Sequence, residues 1–297
     1  MRVGNVHECQ RFRLPAQIIA DFQPVRNDRS EMLNVIGHLV CFMRREHPCM
    51  IEVAEPYLCR LCPLQECSGL RPLEDRQRVF VQEFKSGEVL ADRGEDVIVE
   101  GRIAPNLFTI LEGVFIRYRT MEDGRRQIVN FMFPGDLVGL QAAFEEPSAH
   151  TVETLIPGRL CRFRREDFTS LMREHPRLGF DVTWLAAQEE NALEGHIVSL
   201  GQRNAKERLV YLAVWLLDRA LSTCMANEDN ILEIAITQAQ IADMLGLSLV
   251  HTNRTIRALD KEGLVEWAQR EICVPDMAKA ADFAGFDRPR NAERPFI

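Results

Sequence analysis

The sequence lacks any hydrophobic run long enough to cross a membrane as a helix. Such a helix needs about 20 apolar residues, whereas the most apolar early stretch, Leu33 to Met43, is interrupted by Gly37 and His38. The first thirty residues also lack the cationic-then-apolar order of an export signal. These absences predict a cytoplasmic protein with no membrane partner.

Catalytic fingerprints are missing too. The chain has no H-E-x-x-H motif, no G-x-S-x-G elbow, no P-loop and no dinucleotide fingerprint. We therefore expect that it is not an enzyme. The 17 glycines and 14 prolines are too few and too scattered for a low-complexity chain. Because the formal net charge is −8, any binding of nucleic acid must depend on a local basic surface.

Nine cysteines are present, and three of them are closely spaced. Cys59, Cys62 and Cys67 lie within nine residues, and in a reducing compartment such cysteines are more often thiols or metal ligands than disulfides. Five cysteines lack this spacing: Cys9, Cys41, Cys49, Cys224 and Cys273. Cys273 is interpreted as a core residue, and Cys49 as a substitute ligand should Cys67 not serve.

The middle of the chain has the pattern of an antiparallel roll or barrel. Segments rich in Val, Ile, Phe and Tyr predict strands at 79–84, 107–120, 126–133, 150–155 and 159–163. A hairpin turn is expected at 122–124, and the last two strands are expected to pair around Pro157 and Gly158. Many short strands at this spacing favour a roll.

A helical pattern follows from Pro176 to Gly201. Its apolar positions are mostly three or four residues apart, which gives one stripe: Leu178, Val182, Leu185, Ala192, Leu193, Ile197 and Leu200. The stripe must be covered, either by the roll of the same chain or by a second copy in a coiled-coil-like seam. The pattern itself leaves both open.

Residues 237–248 carry the strongest local pattern. Thr237 is a good N-cap, and Gln240 completes a capping box. Gly246 predicts the end of the helix, since glycine adopts the left-handed conformation at least cost. Ser248 then predicts the cap of a second helix that runs to about Glu262. The apolar face of that helix is expected to include Leu249, Ile256 and Leu259.

The second helix has no acidic residue before Asp260. Arg can bond guanine and Asn can bond adenine in the major groove. The candidate DNA-binding residues are Thr237, Gln238, Ser248, His251, Asn253, Arg254 and Arg257. A hairpin over 263–267 and 271–274 adds a wing. The pattern predicts a winged helix-turn-helix that binds double-stranded DNA. The plainer alternative is a helical hairpin with a solvated charged face.

Four further motifs carry a family resemblance: LFTILEG at 107–113, GRRQI at 124–128, PGDLVG at 134–139 and NAKERL at 204–209. With them the chain resembles the CRP/FNR family of bacterial regulators over about 59–276. The resemblance implies an α+β fold: an N-terminal antiparallel β-roll (a jelly roll like that of cyclic-nucleotide-binding domains), a long dimerisation helix and a C-terminal winged helix-turn-helix. It also implies a homodimer that contacts RNA polymerase.

The same resemblance divides the chain into six parts. They are an N-terminal extension at 1–55, a cysteine segment at 56–72, a β-roll sensor at 73–175, the dimerisation helix at 176–201, the DNA-binding domain at 202–280 and a C-terminal tail at 281–297. Cyclic-nucleotide binders of this superfamily hold the phosphate with an Arg, because a buried phosphate needs a charge-assisted partner. The corresponding stretch, 139–152, has no Arg, so we expect no cyclic AMP.

The resemblance to the oxygen-sensing FNR branch nominates four ligands for a [4Fe-4S] cluster: Cys59, Cys62, Cys67 and Cys161. Iron-sulfur clusters are held by Cys thiolates. The spacing from Cys62 to Cys67 is one residue shorter than in the enteric type member. Alternatives are a tetrahedral zinc, a thiol redox switch without metal, Cys161 as a buried small hydrophobe, and a small effector bound in the roll.

Overall fold

The computed structural model describes residues 51–53, 55–141, 146–226, 229–287 and 293–297. The extension predicted at 1–55 lies almost wholly outside these residues, as do Cys9, Cys41 and Cys49. The strands are β1 (Ile51–Glu52), β2 (Gly87–Ala91), β3 (Asp96–Ile98), β4 (Asn106–Thr120), β5 (Arg126–Met132), β6 (Leu137–Val138), β7 (Thr151–Arg164), β8 (Ile231–Glu233), β9 (Glu266–Trp267) and β10 (Glu271–Cys273). The helices are α1 (Asp75–Phe84), α2 (Phe168–Glu174), α3 (Pro176–Gln202), α4 (Ala205–Ser222), α5 (Gln238–Leu245), α6 (Leu249–Lys261) and α7 (Met277–Ala284).

The first seven strands form one antiparallel sheet in the order β1-β2-β7-β4-β5, with β3 also on β7 and β6 also on β4. The long strands β4 and β7 pair along most of their length, from Asn106 opposite Arg164 to Tyr118 opposite Thr151. Large apolar side chains of β4 and β5, among them Phe115 and Phe131, are fully buried. The predicted β-roll and the predicted 107–120 and 126–133 hairpin are therefore confirmed.

The strand predicted at 79–84 is wrong, because these residues belong to α1. The helix begins with a capping box in which Glu74 and Gln77 exchange side-chain and backbone hydrogen bonds. This cap satisfies free N–H groups of the first turn. It outweighs the strand preference of Val79, Phe80 and Val81.

The strand pair predicted around Pro157 and Gly158 is also wrong. Residues 151–164 form a single strand, since residues on both sides of Pro157 pair with β4: Val152 with Arg117, and Leu160 with Ile110. The register shifts near this point. Proline cannot donate to the ladder and is tolerated at such irregularities, so the Pro-Gly pair makes a bulge instead of a turn.

The apolar stripe of α3 is divided between two environments. Leu178, Val182 and Leu185 are buried against the roll and its neighbouring helices. Towards the other end, Ile197 and Val198 are 67% and 51% exposed. The first half of the stripe thus packs within the chain, and the second half presents apolar side chains to the surface.

Helices α4 to α7 and the small sheet β8-β10-β9 make the C-terminal unit. Helix α4 is almost entirely buried at its centre and supports the others. Hydrogen bonds join this unit to the roll; Gln127 donates to the carbonyl of Met244 at 3.1 Å, and Arg93 donates to that of Ala235 at 3.2 Å. The boundary placed at 280 falls inside α7.

Residues 293–297 return to the N-terminal part of the chain. Leu70 and Arg294 form a parallel bridge, in which the Arg71 amide donates to the Arg294 carbonyl at 2.8 Å. Phe296 and Ile297 are buried in the same apolar cluster as Cys59 and Cys161. These residues therefore form part of the core beneath the cysteine segment, 56–72.

Candidate DNA-binding surface and cysteine site

The turn between α5 and α6 is built from local signals. Thr237 Oγ1 accepts from the Gln240 amide at 3.2 Å, and Gln240 Oε1 accepts from the Thr237 amide at 2.9 Å. Gly246 has a φ of 62°, the left-handed conformation that ends α5. Ser248 Oγ accepts from the His251 amide at 3.3 Å and begins α6. The predicted capping box, glycine turn and second cap are confirmed.

Helix α6 has one buried face and one exposed basic face. Thr252, Thr255, Ile256 and Leu259 are its buried residues. Arg254 and Arg257 are exposed, and neither takes part in an ion pair between described residues. The placement of Leu249 on the apolar face is wrong, since it is 53% exposed. It follows Ser248 directly and points away from the core.

The other predicted DNA-binding residues lie around the same turn. Thr237, Gln238 and Ser248 are exposed, while His251 and Asn253 are half-buried. Asn253 Nδ2 donates to Gln238 Oε1 at 2.9 Å, which connects α6 to the start of α5. The predicted wing is present, as β9 and β10 pair antiparallel and β8 extends them to three strands.

Three of the four nominated cysteines line one small cavity. Cys59, Cys62 and Cys161 come together there, and Phe296 and Ile297 also line it. The cavity measures about 20 Å³. Strand β7 supplies Cys161, and a 3₁₀ turn (Cys59–Leu61) supplies Cys59, whose amide donates to Gln82 Oε1 of α1 at 2.8 Å.

A buried charge cluster lies beside this cavity. Glu88 of β2 is fully buried and pairs with Lys85 at 3.0 Å and with Arg159. The Arg159 guanidinium also stacks over the Tyr57 ring, 3.7 Å from its centre. Two cations thus face one carboxylate next to the thiols.

Burial raises the pKa of each nominated thiol. The pKa of Cys59 lies above its ordinary value despite the nearby Lys85, and that of Cys62 is raised to about 11. The pKa of Cys67 is raised to about 12, by burial first and by Cys224 next. Burial also raises the pKa of Cys161 well above its ordinary value. These thiols are therefore protonated at neutral pH in this conformation.

Cys67 does not line the cavity. Its thiol donates to the Pro63 carbonyl at 3.8 Å and lies near the Cys224 side chain. Among the described residues, no group of three or more His, Cys, Asp or Glu side chains is already arranged to hold a metal ion. The cysteine spacing did not single out Cys224, because its nearness to Cys67 depends on the end of α4.

A second and larger cavity, of about 520 Å³, lies between the roll and α3. Its polar lining includes Arg117, His150 and Glu189. Arg117 pairs with Glu189 at 2.8 Å. Burial, followed by the charge of Arg117, lowers the pKa of His150 to about 4. Part of the 139–152 stretch that lacks Arg, residues 142–145, lies outside the described residues.

Arg294 also lines the larger cavity, a role that sequence patterns did not indicate. Its side chain is 13% exposed and pairs with Asp136, which also pairs with Arg219 of α4 at 2.7 Å. Burial lowers the pKa of Arg294 to about 10. Burial alone would raise the pKa of Asp136, but Arg219 and Arg294 hold it below its ordinary value. The Asp136 carboxylate therefore joins the roll, α4 and the returning segment.

These features define a two-part DNA-binding regulator, with a roll joined through a long helix to a winged helix-turn-helix. Two family models match the chain: the cyclic nucleotide-binding domain over residues 81–175 and the Crp-like helix-turn-helix domain over residues 209–282. The chain belongs to the CRP/FNR family of transcription regulators. The family consists of transcription regulators and not of enzymes, which confirms that expectation.

Several relatives are similar over most of their length. The transcriptional activator protein FnrL of Cereibacter sphaeroides is 26% identical over 77% of this chain and 92% of its own. The nitrogen fixation regulation protein FixK of Bradyrhizobium diazoefficiens is 28% identical over 77% and 94%. The structure of FixK2 from Bradyrhizobium japonicum has a TM-score of 0.58 at 22% identity, covering 66% and 96%. No helix within the described residues is long and apolar enough to span a membrane.

Proposed function

We propose that this regulator binds DNA as a homodimer, with α6 of each copy in the major groove. The observation that carries the proposal is the exposed basic face of α6, on which Arg254 and Arg257 are free of described ion pairs. Arg forms bidentate bonds to guanine. The exposed Leu249 and Val250 at the start of the helix offer apolar contacts to thymine methyl groups.

The second half of α3 is the proposed dimer seam. Ile197 and Val198 are exposed there, and an apolar helix face at a surface is typical of a contact between two copies. Two recognition helices on a two-fold dimer read half-sites roughly 34 Å apart. Contact with RNA polymerase remains a prediction from the family resemblance.

The DNA proposal is tested by substituting both arginines. Binding sites are first selected from random duplexes with the wild-type protein, and affinity is then measured at fixed salt. Each good bidentate contact is worth roughly 1–3 kcal/mol, so Arg254→Ala with Arg257→Ala should weaken specific binding at least ~30-fold. Arg173→Ala, at an exposed arginine of α2, is the matched control. Unchanged affinity in the double variant would contradict the proposal.

For the sensor, we propose that Cys59, Cys62, Cys67 and Cys161 hold a [4Fe-4S] cluster. The supporting observation is that three of these thiols line one cavity that Lys85 also lines. Thiolates are the ligands of such clusters, and nearby cations favour thiolates. The donor chemistry fits, whereas a cavity of about 20 Å³ has room for about one water molecule. The cysteine segment must therefore move when the site is filled.

A bound cluster would supply a centre that oxygen or nitric oxide can degrade. This chain's own residues would convey the change. The cysteine segment contacts α1 through Cys59 and Gln82, and α3 through an ion pair between Arg71 and Asp181. Displacement of the segment therefore acts on the helix that forms the proposed dimer seam. A bias of about 1.4 kcal/mol in dimerisation changes that equilibrium tenfold.

Anaerobic isolation tests the cluster. We expect a brown protein with about four iron and four sulfide per chain, and Cys161→Ser should lose most of the iron. Cys224→Ser, which alters a thiol outside the nominated set, should retain it. A colourless wild-type protein without iron would contradict the proposal, and stoichiometric zinc would assign the site to the tetrahedral alternative.

A small effector is the second candidate signal. The cavity of about 520 Å³ between the roll and α3 favours it, since ligand pockets of roughly 300–1,000 Å³ are typical. Glu189 neutralises Arg117 in that lining, so we propose that cyclic AMP is not the ligand. The two candidates are separated with Cys62→Ser: if the response of DNA binding to oxygen is unchanged, the cluster is not the sensor.

A further inference from the structure

Cys67 and Cys224 lie in parts of the chain that are distant in sequence and close in the fold. Both are free thiols. After burial, the Cys224 side chain is the next cause of the raised pKa of Cys67, so the two side chains lie close together. The backbones meet nearby as well: a Cβ on Gly69 would lie 2.4 Å from the Ser222 carbonyl oxygen. Only glycine allows so close an approach, so the end of the cysteine segment lies directly on the end of α4.

Hydrogen bonds hold both cysteines in place. The Leu70 amide donates to the Cys67 carbonyl at 2.9 Å, and the Gly69 carbonyl accepts from the Arg294 amide at 2.9 Å. On the other side, the Met225 amide donates to the Ala220 carbonyl at 2.8 Å. Because each thiol sits on a turn fixed by its own backbone bonds, the pair does not depend on a chance encounter of two loose segments.

Cys224 has an unusual backbone conformation. Its φ is 59°, in the left-handed region that costs a non-glycine residue energy. Helices often end with glycine at such a position. A non-glycine residue held there against that cost points to a role for its side chain. Cys224 is also exposed, so a small oxidant in solvent can reach it.

We propose that Cys67 and Cys224 form an intramolecular disulfide when hydrogen peroxide meets the metal-free protein. The exposed Cys224 sulfur attacks peroxide; an S–O bond forms, the O–O bond breaks and one water leaves. The Cys67 sulfur then attacks the Cys224 sulfur; the S–S bond forms, the S–O bond breaks, and the oxygen leaves with the Cys67 proton as a second water. Two thiols lose two electrons in total, and one peroxide is reduced to two waters.

The disulfide would fasten the cysteine segment to α4 of the DNA-binding unit. It would also withhold Cys67 from any metal, a consequence that rests on the proposed cluster. In that case the oxidised protein takes up iron and sulfide only after a thiol reductant has been added. The covalent bond itself does not depend on the cluster.

The test uses the full chain, reduced, freed of metal with a chelator and then treated with hydrogen peroxide. After alkylation and trypsin digestion without reductant, mass spectrometry should find the peptide 61–76 joined to the peptide 220–254, since trypsin does not cleave between Arg71 and Pro72. Because the first peptide also contains Cys62, the link must persist in Cys62→Ser and disappear in Cys67→Ser. Gel filtration and circular dichroism confirm that each variant is folded.

A second readout follows the rate. On a non-reducing denaturing gel, the oxidised wild type should migrate faster than the reduced form, because the bond closes a loop of about half the chain. Cys224→Ser should slow the oxidation of Cys67 at least tenfold. The proposal is overturned if Cys67 oxidises equally fast in Cys224→Ser. It is also overturned if wild-type Cys224 ends as a sulfinic acid beside a free Cys67. Iron content in the anaerobic preparation reports separately on the cluster.

Discussion

The α5–α6 helix pair and the cysteine segment hold their shapes in opposite ways. Between Thr237 and Ser248, every turn is set by a neighbour in sequence: a capping box, a left-handed glycine and a second cap. The two 3₁₀ turns on either side of Cys62, Cys59–Leu61 and Pro63–Glu66, have no side-chain cap. The hydrogen-bond partners of the cysteine segment instead lie in distant parts of the chain.

Those distant partners come from at least four elements. Tyr57 donates to Glu112 of β4 at 2.9 Å, and the Cys59 amide donates to Gln82 of α1. The end of the segment touches α4 and residues 293–297. A segment held by several separate contacts can be released when one of them changes, and responsive elements are drawn from such regions. The difference suits the α5–α6 pair for presenting side chains at a surface and is compatible with the sensing role proposed for the cysteine segment.

The largest expected effect comes from removing a distant support. Phe296→Ala deletes a fully buried ring of the cluster beneath the segment, and such changes cost about 3 kcal/mol or more. We expect Cys59 and Cys161 to react faster with a thiol reagent. We also expect the protein to begin to unfold at a lower urea concentration. Phe283→Ala, at a ring that is 39% exposed, should change little. Equal thiol reactivity in both variants would show that the segment does not depend on residues 293–297.

A smaller effect is expected where α3 packs on the roll and on α4. His196 of α3 lies 3.3 Å from Asn130 and packs on Trp215. Burial, with the charge of Arg117 next, lowers the pKa of His196 to about 4. In the unfolded chain the pKa returns to its ordinary value of 6.5, so the unfolded state binds a proton that the folded state does not. Stability should therefore fall as the pH drops from about 6.5 to 4, by ~2 kcal/mol at pH 5 for this residue.

Thermal unfolding between pH 7 and pH 5 measures this effect. In His196→Gln the loss of stability should be reduced, although buried His150, whose pKa is also lowered to about 4, continues to contribute. His251→Gln, on the DNA-binding helix, serves as the control. The prediction is wrong if the wild-type protein becomes more stable as the pH falls through this range.

The smallest effect is expected where the support is local. Thr237→Ala removes the side-chain oxygen that accepts from the Gln240 amide, a loss of ~1 kcal/mol. The melting temperature and the DNA affinity should both fall, whereas the reactivity of Cys59 should stay at the wild-type value. Thr237→Ser keeps the hydroxyl and should restore both. A change in Cys59 reactivity in Thr237→Ala would mean that the two regions are not separately supported.

The helix-turn-helix could be predicted because its information is local. Caps, the glycine turn and the basic face lie within about twenty consecutive residues, and the structure confirms them. The wrong assignments, at residues 79–84 and at Leu249, came from the type of side chain taken without its position in the chain. Residues 79–84 have strand-forming side chains, but a capping box just before them decides for a helix. Leu249 has an apolar side chain, yet it is the first residue of α6 and its side chain is exposed.

The amino-acid sequence alone determined the winged helix-turn-helix, the antiparallel roll and the close spacing of three cysteines, because hydrophobic period, caps and turn residues act over a few residues. Only the tertiary structure decided that Cys161 meets Cys59 and Cys62, that Cys67 faces Cys224, and that Phe296 packs beneath them. Contacts between distant segments depend on how whole elements pack, and no short pattern encodes that.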